Sequence, residues 1–313
     1  PIPAQKLKGS PLLGQVTIKT NPASKTGAAN TSWMAKLGDL YTIQGELNSD
    51  GEIRSALGVG APATLSQQGF NLNLAANELN LDSWIDFFGS QDKKSVALTS
   101  DDAGTSNLQV TAQVKKLILI DRIWQDVNIS ASNKNSGIQM RINAPQVNGQ
   151  IQYQSTNPAH PNGILSGTFS RLRIPDASTE LTNASASNTS NKKASSPDAV
   201  PSLDLSIEDF SWFKAQLGQF KIKTTSSNNL LKIESIQTNN PEATTKITGQ
   251  WIGATQNQPE HTQLNIDTDV KNAGQLIAHW SSQKSVEGGQ GKMAAANYSD
   301  ILTITVTPLV ARS

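Results

Sequence analysis

Over most of its length the chain sets apolar residues at every second position, and that habit limits what it can become. Side chains alternate between the two faces of a β-strand, so such a run turns one apolar face inward and one polar face to water. Val16/Ile18 and Tyr41/Ile43 with Leu47 open the series, followed by Leu108/Val110/Ala112/Val114 and Val127/Ile129/Ala131. Ile138/Met140/Ile142/Ala144 and Val147/Gly149/Ile151/Tyr153 continue it. The second half adds Phe220/Ile222, Leu231/Ile233, Ile247/Gly249/Trp251, Leu264/Ile266/Thr268/Val270 and Leu302/Ile304/Val306. Positions in between, such as Gln109, Thr111, Gln113 and Gln139, Arg141, Asn143, are polar. Turn-forming clusters separate the runs: Asn48-Ser49-Asp50-Gly51, Asn133 to Gly137, Asn157-Pro158 and Asn239-Asn240-Pro241. Short connections favour antiparallel meanders, because a parallel pair needs a crossover of about a dozen residues. The expected fold is therefore mainly β, an elongated and curved antiparallel sheet with one greasy face.

Composition agrees with a sheet that is wet outside. Apolar residues are 36% and aromatics 5%, below the roughly 45–50% apolar (Gly included) of a compact globular domain. Ser, Thr, Asn and Gln fill the gap rather than charge. With 16% charged residues and a net charge of +1, the chain fits neither the disordered class nor a nucleic-acid partner. Cysteine is absent, which excludes disulfides and thiolate chemistry. No apolar run approaches the roughly 18 residues of a membrane span, so any anchor is expected outside this chain. The chain opens at Pro1 with neither initiator Met nor signal peptide, and is expected to be processed or cut from a longer protein.

Two short helices are expected to interrupt the sheet. Asp82 can cap one near 82–89, whose Trp84, Ile85 and Phe88 share a face before Gly89. Asn272 can cap a second near 273–282, with Leu276, Ile277 and Trp280 at matching spacing. Residues 183–197 (NASASNTSNKKASSP) hold nothing apolar beyond Ala and read as a flexible Ser/Asn-rich loop. The expected organisation is one β-segment over 1–182, that loop, and a continuation over 198–313.

The reactive residue types do not assemble into a site. His160, His261 and His279 are solitary, with none at metal-ligand spacing. Asp267 and Asp269 share one side of a strand, a pattern more typical of a solvated face than of a cation site. Gly288-Gly289-Gln290-Gly291-Lys292 lacks the Ser or Thr of a phosphate loop, Met293 standing there instead. The serine of Gly163-Ile164-Leu165-Ser166-Gly167 is misplaced for a nucleophile elbow. The six tryptophans read as sheet and helix anchors before sugar platforms. Neither enzyme, cofactor nor metal is expected.

A set of motifs in order carries a resemblance. Pro201-Ser-Leu-Asp-Leu-Ser-Ile-Glu-Asp-Phe210, Leu217-Gly-Gln-Phe-Lys-Ile222, Ile247-Thr-Gly-Gln-Trp251, Thr262-Gln-Leu264, Ala273-Gly-Gln-Leu-Ile277 and Val286-Glu-Gly-Gly-Gln-Gly291 resemble the C-terminal half of the YhdP family of AsmA-like, TamB-related envelope proteins. Upstream, Leu79-Asn-Leu-Asp-Ser-Trp-Ile85, Gln146-Val-Asn-Gly-Gln-Ile151 and Leu172-Arg-Ile-Pro175 match further family segments. The similarity spans about residues 35 to 296 and is specific in combination, each motif being weak alone. It departs in the long 183–197 insertion and in the tail from Asn297 to Ser313.

The resemblance implies a long periplasmic protein anchored in the inner membrane by a helix elsewhere, passing phospholipids towards the outer membrane. Its sheet would fold lengthwise into an apolar groove, a β-taco. On that reading the face bearing Val110, Val114, Ile129, Met140, Ile142, Ile222, Ile233, Ile247, Leu264 and Ile266 lines the lipid path. The sequence leaves open which face that is, and also a closed sandwich core with nothing passing through. Two further alternatives are a surface adhesin or β-solenoid, which calls for a fixed short repeat, and a carbohydrate-active protein, which calls for paired carboxylates. Neither pattern is present.

Overall fold

The computed structural model describes residues 13–21, 30–49, 51–82, 107–134, 137–176, 196–212, 215–255, 258–272, 291–296 and 305–308. They form two units, Pro1–Pro145 and Gln146–Ser313. The first holds β1 (Gly14–Asn21), β2 (Asn30–Leu37), β3 (Tyr41–Leu47), β4 (Ile53–Val59), β5 (Gly69–Asn80), β6 (Leu108–Leu119), β7 (Arg122–Lys134) and β8 (Gly137–Asn143). The second holds β9 (Val147–Gln154), β10 (Ile164–Arg173), a 3-10 turn (Pro197–Ala199), β11 (Ser202–Trp212), β12 (Ala215–Ser227) and β13 (Leu230–Asn239). It ends with β14 (Ala243–Ile252), β15 (His261–Val270), β16 (Gly291–Ala296) and β17 (Thr305–Pro308). Within each unit every strand pairs with the next in sequence, and among the described residues no pairing closes either sheet on itself.

The chain is mainly β, as its alternation requires, but the sheets are not purely antiparallel. β4–β5, β5–β6 and β10–β11 are parallel pairs. Alternation fixes which face a residue takes and is silent about strand direction; the direction follows from the connection. Each of these three pairs follows a long one: residues 60–68, 81–107 and 174–201. The first shows how the return is made. Residues 61–64 lie across the polar face of β3–β5, where the Gln44 side-chain amide donates to Ala63 O at 2.6 Å and the Asn73 amide to Pro62 O at 3.1 Å. Gly58 makes the approach possible, since a Cβ there would run into the backbone of Ala61, Pro62 and Ala63.

The helices expected near 82–89 and 273–282 lie outside the described residues, apart from Asp82. There the backbone of Leu81 and Asp82 is helical, and the Asp82 carboxylate also reaches a distant turn. It accepts from Ile120 N at 2.7 Å and Asp121 N at 2.9 Å, holding the β6–β7 turn. Both turn residues sit in the left-handed region, with φ of 56° and 54°, the geometry of a tight hairpin turn. For the β-branched Ile120 this is strained, and its side chain gains nothing in return at 72% exposure. Ile120→Asn should therefore stabilise the protein by about 1 kcal/mol, read as a raised urea midpoint; an unchanged or lowered midpoint would refute the strain. The β12–β13 turn already uses Asn228 and Asn229, at φ 47° and 61°.

The stretch read as a flexible loop over 183–197 ends earlier than expected. Pro197 is fully buried, and its carbonyl accepts from Ser226 Oγ at 3.0 Å. Asp198 accepts from Asn229 N at 2.6 Å. Ser202 Oγ takes the Ser226 N–H at 3.1 Å and meets His160 Nδ1 at 3.1 Å. The buried Ser202 and Ser226 thus find partners, as burial demands, and these bonds tie the 3-10 turn and β11 to the β12–β13 hairpin. β10 and β11, which flank this stretch, pair directly; residues 183–195 lie outside the described residues.

Candidate functional site

Residues opposite one another across a sheet share a face, so the registers sort the side chains. In the first unit one row runs across all eight strands: Val16, Ala35, Ile43, Leu57, Leu72, Val110, Ala131, Met140. The row two positions away on the same face is Leu37, Tyr41, Val59, Leu74, Ala112, Ile129, Ile142. The row between them belongs to the other face: Lys36, Thr42, Gly58, Asn73, Thr111, Ser130, Arg141. One face is apolar from the first strand to the last.

The second unit repeats this. Ile151, Gly167, Leu205, Ile222, Ile236, Ile247 and Ile266 form one apolar row from β9 to β15. Ile233, Gly249 and Leu264 stand in the next row on that face. The opposite face carries Gln150, Thr168, Ser206, Lys221, Gln237, Lys246 and Asp267 in a single polar row. Thus Val110, Val114, Ile129, Met140 and Ile142 share the apolar face of the first unit, and Ile222, Ile233, Ile247, Leu264 and Ile266 that of the second. Trp84, Ile85, Phe88, Leu276, Ile277 and Trp280 lie outside the described residues.

The apolar face of the first unit is not uniformly covered. Ala112, Val114 and Val127 on β6–β7 are buried, at 6%, 2% and 1% exposure. Towards β1–β4 the same face is open: Val16 is 71% exposed, Ile18 67%, Ile43 46% and Ile53 61%. Large apolar side chains left in water at neighbouring cross-strand positions form a patch, which soluble surfaces rarely keep without use. Trp33, opposite Gly45, lies in this region. Its indole sits over the glycine, where a Cβ would strike the ring. Phe169 covers Gly149 in the same way in the second unit. Nothing in the sequence marks these pairs, because the partners belong to different strands.

The polar faces carry scattered ion pairs. Arg54 binds Glu46 Oε2 through Nη2 at 2.6 Å and Nε at 3.2 Å, and Asn30 donates to Glu46 Oε1 at 2.9 Å. The hydrogen bond from Arg54 holds the Glu46 carboxyl below the usual carboxylate range, against the opposing effect of burial. Glu234 is likewise lowered, chiefly by the Thr225 hydroxyl that donates to it at 2.7 Å. At one end of the first sheet a pocket of about 230 Å3 is lined mainly by polar residues, among them Asn48, Glu52, Arg54 and Gln68. Among the described residues no three His, Asp or Glu side chains gather to hold a metal ion. No helix among them is long and apolar enough to cross a membrane.

A family model described as YhdP protein matches residues 1–303, extending beyond both ends of the span over which the motifs are recognisable. No curated protein and no solved structure matches the chain.

Proposed function

The chain belongs to the YhdP family, and on that premise we propose that its two apolar sheet faces shield phospholipid acyl chains within a periplasmic bridge between the inner and outer membranes. The observation that carries this reading is the apolar face whose rows run from β1 to β8 and from β9 to β15, and which stays open to water in the first unit at Val16, Ile18, Ile43 and Ile53. A face kept only as a packing core has no reason to leave these side chains exposed. A lipid has reason to occupy it, since each acyl CH₂ removed from water gains about 0.8 kcal/mol. The opposite faces, with their Gln, Thr, Lys and Asp rows, keep the same strands soluble. No reacting group is needed for such passage, only a continuous surface of low polarity. The membrane-facing ends of the bridge would be supplied by other parts of the full-length protein.

The direct test is to extract the folded, purified chain and identify what came with it by mass spectrometry. Phospholipid is expected in stoichiometric amount, and a chain free of lipid after detergent-free purification would refute the reading.

A further inference from the structure

We propose that the end of the first sheet, where the β3–β4 turn meets the starts of β5 and β6, is a headgroup site for a phospholipid that carries both a phosphate and an ammonium. The inference rests on the lipid-shielding reading and adds the headgroup class to it. The pocket there, about 230 Å3, has room for several waters, or for a headgroup of phosphoethanolamine size. Asn48, Glu52, Ile53, Arg54, Gln68 and Asn107 line it.

Its position is amphipathic. Ile53 pairs with Leu47 on the apolar face and is 61% exposed, whereas its neighbour Arg54 pairs with Glu46 on the polar face. A lipid seated here would lay its chains along Leu47 and Ile53 and raise its head over the strand ends into the pocket.

Charge selects the head. The Arg54 guanidinium has five N–H groups, two of which are spent on Glu46 Oε2, so its charge is offset while its remaining donors face no competing carboxylate from that residue. The amides of Asn48, Gln68 and Asn107 add neutral donors and acceptors, with Asn107 Nδ2 and Gln68 Oε1 holding each other at 3.3 Å. These groups can meet phosphate oxygens without supplying net positive charge. Glu52 is exposed on the rim, and among the described residues of the lining it is the one acidic side chain. An ammonium answers it; a headgroup with only negative charge is repelled by it.

The test loads the purified chain from vesicles of equal parts phosphatidylethanolamine and phosphatidylglycerol, then counts the bound lipids by mass spectrometry. The wild-type chain should hold the ethanolamine lipid in at least threefold excess. Glu52→Gln should reduce that excess and Glu52→Lys should remove or invert it. Glu208→Lys, which makes the same charge change on an exposed β11 position of the second unit, should leave it intact, and circular dichroism should show all three variants folded. Lipid bound in vesicle proportions by the wild type, or an equal shift with Glu208→Lys, would overturn the headgroup site and leave the lipid-shielding reading standing. A chain that takes up neither lipid would overturn both.

Discussion

Ile142→Asp or Ile266→Asp in the full-length protein is expected to abolish lipid passage while costing little stability. Ile142 lies at the end of an apolar row in the first unit and Ile266 within one in the second. Both are only partly buried, so an introduced carboxylate keeps contact with water and avoids the penalty of several kcal/mol that a sealed interior would impose. It stays charged, and a charge on the path of an acyl chain opposes entry of every methylene that must pass it. A photo-crosslinking residue placed at either position should capture phospholipid in intact cells. The same residue at Arg141 or Asn265, each one step along its strand and on the polar face, should capture none. Equal capture from both faces would sink the conduit, and so would unfolding by either aspartate.

How far this could be read from sequence depends on what kind of physical fact each feature is. Face membership is local, because it follows from the period of the side chains. The ten positions expected to line a groove, from Val110 to Ile266, accordingly fall on the apolar faces of the two units, and Gln109, Thr111 and Arg141 on a polar one. Strand direction is not local. Nothing within β4 or β5 distinguishes the parallel pair from a hairpin, and the deciding feature is residues 61–64 bridging to Gln44 and Asn73. Asp82 carries a bond that its sequence neighbours do not announce. Its position before an apolar triplet suggests a helix cap, and nothing local points to the turn at Ile120 and Asp121, far away in sequence, whose N–H groups its carboxylate accepts. His160 is solitary along the chain and still meets Ser202 across the fold. The pocket beside Arg54 assembles Asn48, Gln68 and Asn107 from three separate strand ends, a juxtaposition that only the register creates. Chemistry carried by one strand was legible; chemistry made between strands was not.

The same substitution at two places on one face should separate an open surface from a closed core. Val127 and Ile18 both stand on the apolar face of the first unit, Val127 opposite Val114 and Ile18 opposite Trp33. Val127 is 1% exposed and Ile18 67%. Val127→Asp gives up the roughly 1.5–3 kcal/mol of a buried aliphatic side chain and forces a carboxyl into a site without partners, which costs several kcal/mol more or drives it to stay protonated. A total of at least about 4 kcal/mol is a large share of the 5–15 kcal/mol that holds a typical domain folded, so this variant should be unfolded or nearly so at 37 °C. Ile18→Asp removes little burial and leaves its carboxylate in water, so its cost should stay within about 1 kcal/mol, the span of strand preference itself. Urea titration of the two variants reads the difference directly. If Ile18→Asp proved as damaging as Val127→Asp, the face would be sealed along its whole length, and the open surface on which a lipid could be laid would not exist.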